Sequence, residues 1–167
     1  MKSNDKALEV LKTAILLERR GKAFYTQAAR QTESKSAKKI FEMMAEEEDE
    51  HVEFLTKQFK NYIDHHKFLK TFDHQEEDET VMEILSENIK KEISAAGFEA
   101  AAISAAINFE NNAIEVYSTR AREATDPGEK EMYQMLADWE KGHHHLLYKL
   151  NEDLKEQIWN DNNFWPF

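Results

Sequence analysis

Cysteine is absent from this 167-residue chain, and with it go disulfides, thiolate zinc sites and iron–sulfur centres. Any metal the chain binds must be held by oxygen and imidazole. Glycine (4) and proline (2) are scarce, while Leu, Ala, Glu and Lys are abundant, a balance that favours long helices over sheets. No uninterrupted apolar run approaches the roughly 20 residues needed to span a membrane. The first residues, Met1-Lys2-Ser3-Asn4-Asp5, have neither the apolar stretch nor the small-residue cleavage site of a signal peptide. The expectation is a cytoplasmic protein without a membrane partner. Basic residues are outnumbered, and the net charge is -11. That argues against unaided nucleic-acid binding, which needs a basic face. The acidity suits cations, but simple solubility is the better account of it. At this length the simplest organisation is one domain, 1–167, long enough to bury a real core.

The periodicity predicts four long helices and one short one. The first runs from about Asp5 to Gln31, with Leu8, Leu11, Ile15 and Phe24 as its apolar stripe. Ser34 is a candidate N-cap for a second helix reaching about Tyr62. Its inner face carries Ile40, Phe41, Met44, Leu55 and Phe59. A polar, His-rich stretch, Asp64 to Thr80, reads as a connection, followed by a shorter helix over Val81 to Ile93. The third long helix spans about Gly97 to Thr125 and begins with small residues (Ala100, Ala101, Ala102, Ala105, Ala106) that permit close helix approach. The fourth opens on Asp126-Pro127-Gly128-Glu129, a cap with Pro at the first helical position, and continues to about Gln157. An aromatic tail, Ile158 to Phe167, closes the chain. Its Trp159, Phe164, Trp165 and Phe167 suit docking on the bundle or on a sister subunit better than cofactor binding.

One chemistry appears twice, 92 residues apart. Glu18 is followed after 30 residues by Glu48-Asp49-Glu50-His51, and Glu110 after 30 residues by Glu140-Lys141-Gly142-His143. The same shift carries Ala14 to Ala106, Tyr25 to Tyr117, Ser34 to Asp126 and Leu55 to Leu147. The helix starts therefore repeat along with the acidic and imidazole groups. The simplest architecture is two helical hairpins joined by a long crossover, about 64–96, between the second and third long helices.

A Glu-x-x-His pair alone is weak evidence in so Glu-rich a chain. Its placement is more specific. On a helix, positions i and i+3 share a face, so both groups of each pair can reach one centre. Heights agree as well. Glu18 and Glu48 are centred on position 33, beside the Ser34 cap, and Glu110 and Glu140 on position 125, beside Asp126. Each lone Glu thus lies level with its partner pair, near mid-helix. Four carboxylates buried without partners would be very costly. Two divalent ions cancel their charge and leave two neutral imidazoles. Glu18, Glu48, His51, Glu110, Glu140 and His143 are therefore the candidate ligands of a two-metal site in a four-helix bundle.

Tyr25 and Tyr117 follow the lone glutamates by seven residues, which returns to nearly the same face about 10 Å along. Each hydroxyl can reach a metal-bound Glu of the opposite hairpin; the alternative is an ordinary core tyrosine. Glu46, Glu47 and Glu50 read as a solvated charge run. His144 and His145 point to other faces, and His65, His66 and His74 read as surface residues of the connection, with a second metal site there as the lesser alternative.

At these residues the chain resembles the rubrerythrin-like branch of the ferritin-like di-iron proteins, over nearly all of residues 5 to 155. The segments that carry the resemblance begin at Glu18, Ala45, Glu110 and Leu136 and end at Tyr25, His51, Tyr117 and His143. It implies an all-α, ferritin-like four-helix bundle in which the four glutamates ligate iron, two of them bridging. His51 and His143 are then terminal ligands, and Tyr25 and Tyr117 hydrogen-bond the ligands from outside. Two features depart from the family. There is no Cys-rich rubredoxin domain, so electrons must come from a separate donor protein. Relatives also carry an extra Glu three residues after the lone Glu of the third helix, where this chain has Ala113, with Gly21 as its counterpart. Those two positions read as a place left empty.

The implied activity is that of a di-iron oxidoreductase reducing peroxide or dioxygen, in a homodimer. The ligand set also accepts manganese or zinc in place of iron. Two alternatives stand beside it: a ferroxidase or iron-storage protein, and a bundle whose metals are structural.

Overall fold

The computed structural model describes residues 3–70, 79–93 and 97–160, with side chains over 6–70, 81–93 and 97–156. Five helices follow in order: α1 (Ser3–Gln31), α2 (Lys35–His65), α3 (Glu79–Glu92), α4 (Phe98–Glu123) and α5 (Pro127–Asn160). No strand occurs among the described residues. Both expected caps form. Ser34 Oγ accepts from the backbone N–H of Ala37 at 3.0 Å, and Asp126 Oδ1 from that of Glu129 at 2.9 Å. Pro127 opens α5 where its missing N–H leaves nothing unpaired. The second helix runs three residues past the expected end, to His65. It stops at His66, whose left-handed φ of 53° lets its N–H return to the Tyr62 carbonyl at 2.9 Å.

α1 packs along α2, and α4 along α5, as two hairpins. The core between them is divided in two. One apolar cluster joins Leu11, Ala14, Leu55, Tyr117, Met132 and Leu136. The other joins Tyr25, Ile40, Phe41, Ile103, Ala106 and Leu147. The first takes the start of α1 and the end of α2 together with the end of α4 and the start of α5. The two hairpin turns therefore lie at opposite ends of the bundle, and the connection from α2 to α4 must travel its length. On that route α3 buries Ile89 against the second cluster, with Met82, Leu85 and Ile93 beside it.

Of the small residues at the start of α4, Ala102 and Ala106, one turn apart, face inward; Ala101 and Ala105 are exposed. The close approach thus uses a single stripe of the helix. Glu92, the last residue of α3, ties the crossover to the start of α2. Its carboxylate accepts from Ser34 Oγ at 2.5 Å and from Ser36 Oγ at 2.9 Å and backbone N–H at 3.1 Å. Negative charge is favourable at that helix end. The aromatic tail beyond Asn160, the side chain of Trp159, and His74 lie outside the described residues. Among the described residues no helix is long and apolar enough to cross a membrane.

Candidate metal centre

The six duplicated residues meet in one layer between the two apolar clusters. α1 supplies Glu18, α2 Glu48 and His51, α4 Glu110, and α5 Glu140 and His143. Five of them are at most 1% exposed and His143 is 7% exposed. They form two overlapping groups of ligand atoms, each within 4.8 Å: Glu18, Glu48, His51 and Glu140, and Glu48, Glu110, Glu140 and His143. Glu48 and Glu140 belong to both.

The individual oxygens show how they are shared. His51 Nδ1 lies 3.0 Å from Glu18 Oε2, 3.6 Å from Glu48 Oε2 and 3.2 Å from Glu140 Oε1. His143 Nδ1 lies 3.6 Å from Glu48 Oε1, 3.7 Å from Glu110 Oε1 and 3.5 Å from Glu140 Oε2. Glu48 and Glu140 thus each turn one oxygen to either imidazole, the arrangement of bridging carboxylates. Glu18 and Glu110 each serve one side.

The donor set fits two cations. Both oxygens of Glu48, both of Glu140, Glu110 Oε2 and His143 Nδ1 are buried without a hydrogen-bond partner among the described residues. Lone pairs stranded this way are rare and costly in proteins. Two divalent ions would satisfy them, with carboxylate oxygen and imidazole nitrogen as donors suited to iron, manganese or zinc.

Around this layer stand the two tyrosines, both fully buried. Tyr25 donates its hydroxyl to Glu110 Oε1 and Tyr117 donates to Glu18 Oε1. Each reaches across to the opposite hairpin and fixes the carboxylate that serves a single side. Burial, reinforced by the Glu110 charge, pushes the Tyr25 phenol well above its ordinary range, so it remains a donor.

The outer sides of the imidazoles differ. Trp139 stacks on His51, with ring centres 4.8 Å apart and planes 16° apart. At the equivalent place in the other half stands Glu47, whose Oε2 accepts from His143 Nε2. The reading of Glu47 as part of a solvated charge run is therefore corrected, whereas Glu46 and Glu50 are exposed as expected. A charge run on a helix does not reveal which member leans across to a neighbouring helix. The shift of 92 residues was the available signal: it pairs Glu47 with Trp139, each one residue before a ligand. His145 is exposed and His144 is half-buried against Tyr148, both away from the cluster.

A rubrerythrin family model matches residues 9–151. The chain belongs to the rubrerythrin family. Comparisons with curated proteins and with solved structures found no match. With this membership the buried Glu and His cluster marks a di-iron carboxylate protein.

Unlike the expectation, the chain has no empty place beside Gly21. A Cβ built there would stand 2.9 Å from Phe109 Cε1 and 3.1 Å from Glu48 Cδ. The aromatic ring of α4 fills the space, and Ala113 is itself buried at 1% exposure. Gly21→Ala is expected to cost about 1–3 kcal/mol through overpacking, against a helix-propensity gain of about 1 kcal/mol. A Cβ at Gly142 would meet nothing within 4 Å, so Gly142→Ala should gain that ~1 kcal/mol unopposed. Urea melts should move the two midpoints in opposite directions.

Charge in the metal-free layer sorts by position. Burial raises Glu18 well above the ordinary carboxyl range, helped by the Glu140 charge. It also pushes Glu110 up to about 8, against the pull of His143. Burial acts the same way on Glu48 and Glu140, but the two imidazoles outweigh it and hold both low. Burial disfavours charge on His51 and His143, and the surrounding carboxylates outweigh it and raise both. Each group with a raised value binds more protons folded than unfolded once pH passes its ordinary value. Its contribution is complete below that ordinary value and is lost as pH rises, through about 8 for Glu110. Glu48 and Glu140 contribute in the opposite sense, and theirs is lost in acid. Metal-free protein should therefore melt at a lower temperature at about pH 9 than at about pH 6. Metal-loaded protein should reverse that trend, because cations displace the same protons.

Proposed function

We propose that this chain is a di-iron oxidoreductase that reduces peroxide or dioxygen with electrons from a separate donor protein. The observation that carries the reading is the pair Glu48 and Glu140, each offering one oxygen to either imidazole-bearing half. Glu48 and Glu140 would each serve both positions of a two-metal site, which would let both metals act on one small oxidant. Two ferrous ions, when bound, would supply two electrons, enough to take peroxide to water or dioxygen to peroxide. The absence of cysteine from the sequence, which rules out a rubredoxin-type centre within it, supports the reading that a separate protein donates those electrons.

The chain's own residues then hold and shield. Tyr25 and Tyr117 keep Glu110 and Glu18 oriented by donating to them. Trp139 stacks on His51 and Phe54 packs against Trp139, and His51 is fully buried. A groove of about 700 Å³, lined by Met43, Met44, Glu47, Met82, Trp139, His143 and Leu146 among others, reaches the layer at His143.

Iron-loaded protein tests the reading. Its near-ultraviolet and visible absorbance should bleach with dithionite and return with peroxide. An unchanged spectrum would leave the metals structural, and a cage-sized particle on sizing, in place of the expected homodimer, would favour iron storage.

A further inference from the structure

Glu47 has no part in the reading above as a ligand, yet it touches one. Its carboxylate side chain is 14% exposed and accepts from Nε2 of His143, which turns Nδ1 toward Glu48, Glu110 and Glu140. A ring whose far nitrogen is bound to a carboxylate cannot flip without breaking that bond, and its near nitrogen is left as the lone-pair donor. At the corresponding place beside His51 stands Trp139, which holds that ring by stacking on its face. The duplicated layer thus fixes its two imidazoles by different means. His143 is also the one cluster member that lines the open groove, where water competes for a loosely held ring.

We infer that Glu47 is a positioning residue for His143 and that it sets the affinity of one metal position and not the other. The inference rests on the two-metal reading. Loss of an outer hydrogen-bond partner of a metal-bound histidine weakens metal binding by about 10- to 100-fold. Here that loss falls on the position formed by Glu48, Glu110, Glu140 and His143. The position formed by Glu18, Glu48, His51 and Glu140 keeps its affinity, because its imidazole is held by Trp139.

Cobalt(II) alone, titrated into metal-free protein and followed by visible absorbance and equilibrium dialysis, tests this. The wild type should take up two ions. Glu47→Ala should bind one ion as the wild type does and the other about 10- to 100-fold more weakly. Glu47→Gln, whose amide oxygen still accepts from Nε2, should stay much closer to wild type. In a His143→Ala background, adding Glu47→Ala should leave the remaining ion unchanged, as required of a residue that acts through His143. Unchanged helical circular dichroism would show that each variant folds.

The inference is overturned if Glu47→Ala weakens both ions equally or neither. It is also overturned if Glu47→Gln is as weak as the alanine variant, or if Glu47→Ala still acts without His143. In each of those cases Glu47 works by charge or not at all. A wild type that binds fewer than two ions would overturn the two-metal reading itself, a result distinct from any of these.

Discussion

Glu48→Ala protein, freed of metal and titrated with ferrous or cobaltous ion, is expected to bind neither of two ions tightly. Glu48 presents Oε2 toward His51 and Oε1 toward His143, so one truncation strips a donor from both positions. Removing a direct ligand should exceed the roughly 100-fold loss that follows removal of an outer partner. Glu18→Ala provides the contrast. Glu18 belongs to one group of ligands, and its variant should lose one ion while keeping the other. His144→Ala, remote from the layer, should keep both. If Glu48→Ala retained one ion at wild-type affinity, the shared role of this carboxylate would be wrong, whatever became of the other five residues. Equilibrium dialysis with metal analysis distinguishes the three stoichiometries.

Metal loading should change thermal stability more than any substitution. The metal-free layer holds buried carboxylate oxygens with no hydrogen-bond partner among the described residues, and the neighbouring imidazoles offset their desolvation less fully than bound cations would. With free metal about 1,000-fold above the dissociation constant, each ion adds about 4 kcal/mol. Two ions add about 8 kcal/mol, and at about 2–4 °C per kcal/mol for a chain of this size the melting temperature should rise by roughly 15–30 °C. Differential scanning calorimetry with and without chelator measures this. A rise of only a few degrees would mean that the metal-free layer already satisfies itself, or that the ions bind elsewhere.

Much of this arrangement could be read from the residues. The helix starts at Ser34 and near Pro127, the level heights of the lone glutamates, and the meeting of six side chains follow from periodicity, capping and antiparallel geometry. Each of these depends on position along a helix, which spacing measures directly. What escaped depends on direction around the bundle axis. Which carboxylates are shared, and that Glu47 leans across to His143, are set by the way α2 faces α5. Neighbouring helix faces are not ordered by sequence. Phe109 beside Gly21 escaped for a related reason. A glycine in a helix reads as a missing side chain, and only the packed neighbour shows that the space is already taken.

The division of ligands between the hairpins carries a further consequence. Each metal position draws three donors from one hairpin and borrows the fourth: Glu140 completes the His51 side, and Glu48 completes the His143 side. Neither half of the chain can complete a coordination set alone. Bound ions would therefore act as rivets driven through the seam between the halves, with the crossover as the thread that keeps the halves together before riveting. In such a molecule, holding metal and holding tertiary structure are one equilibrium seen from two sides.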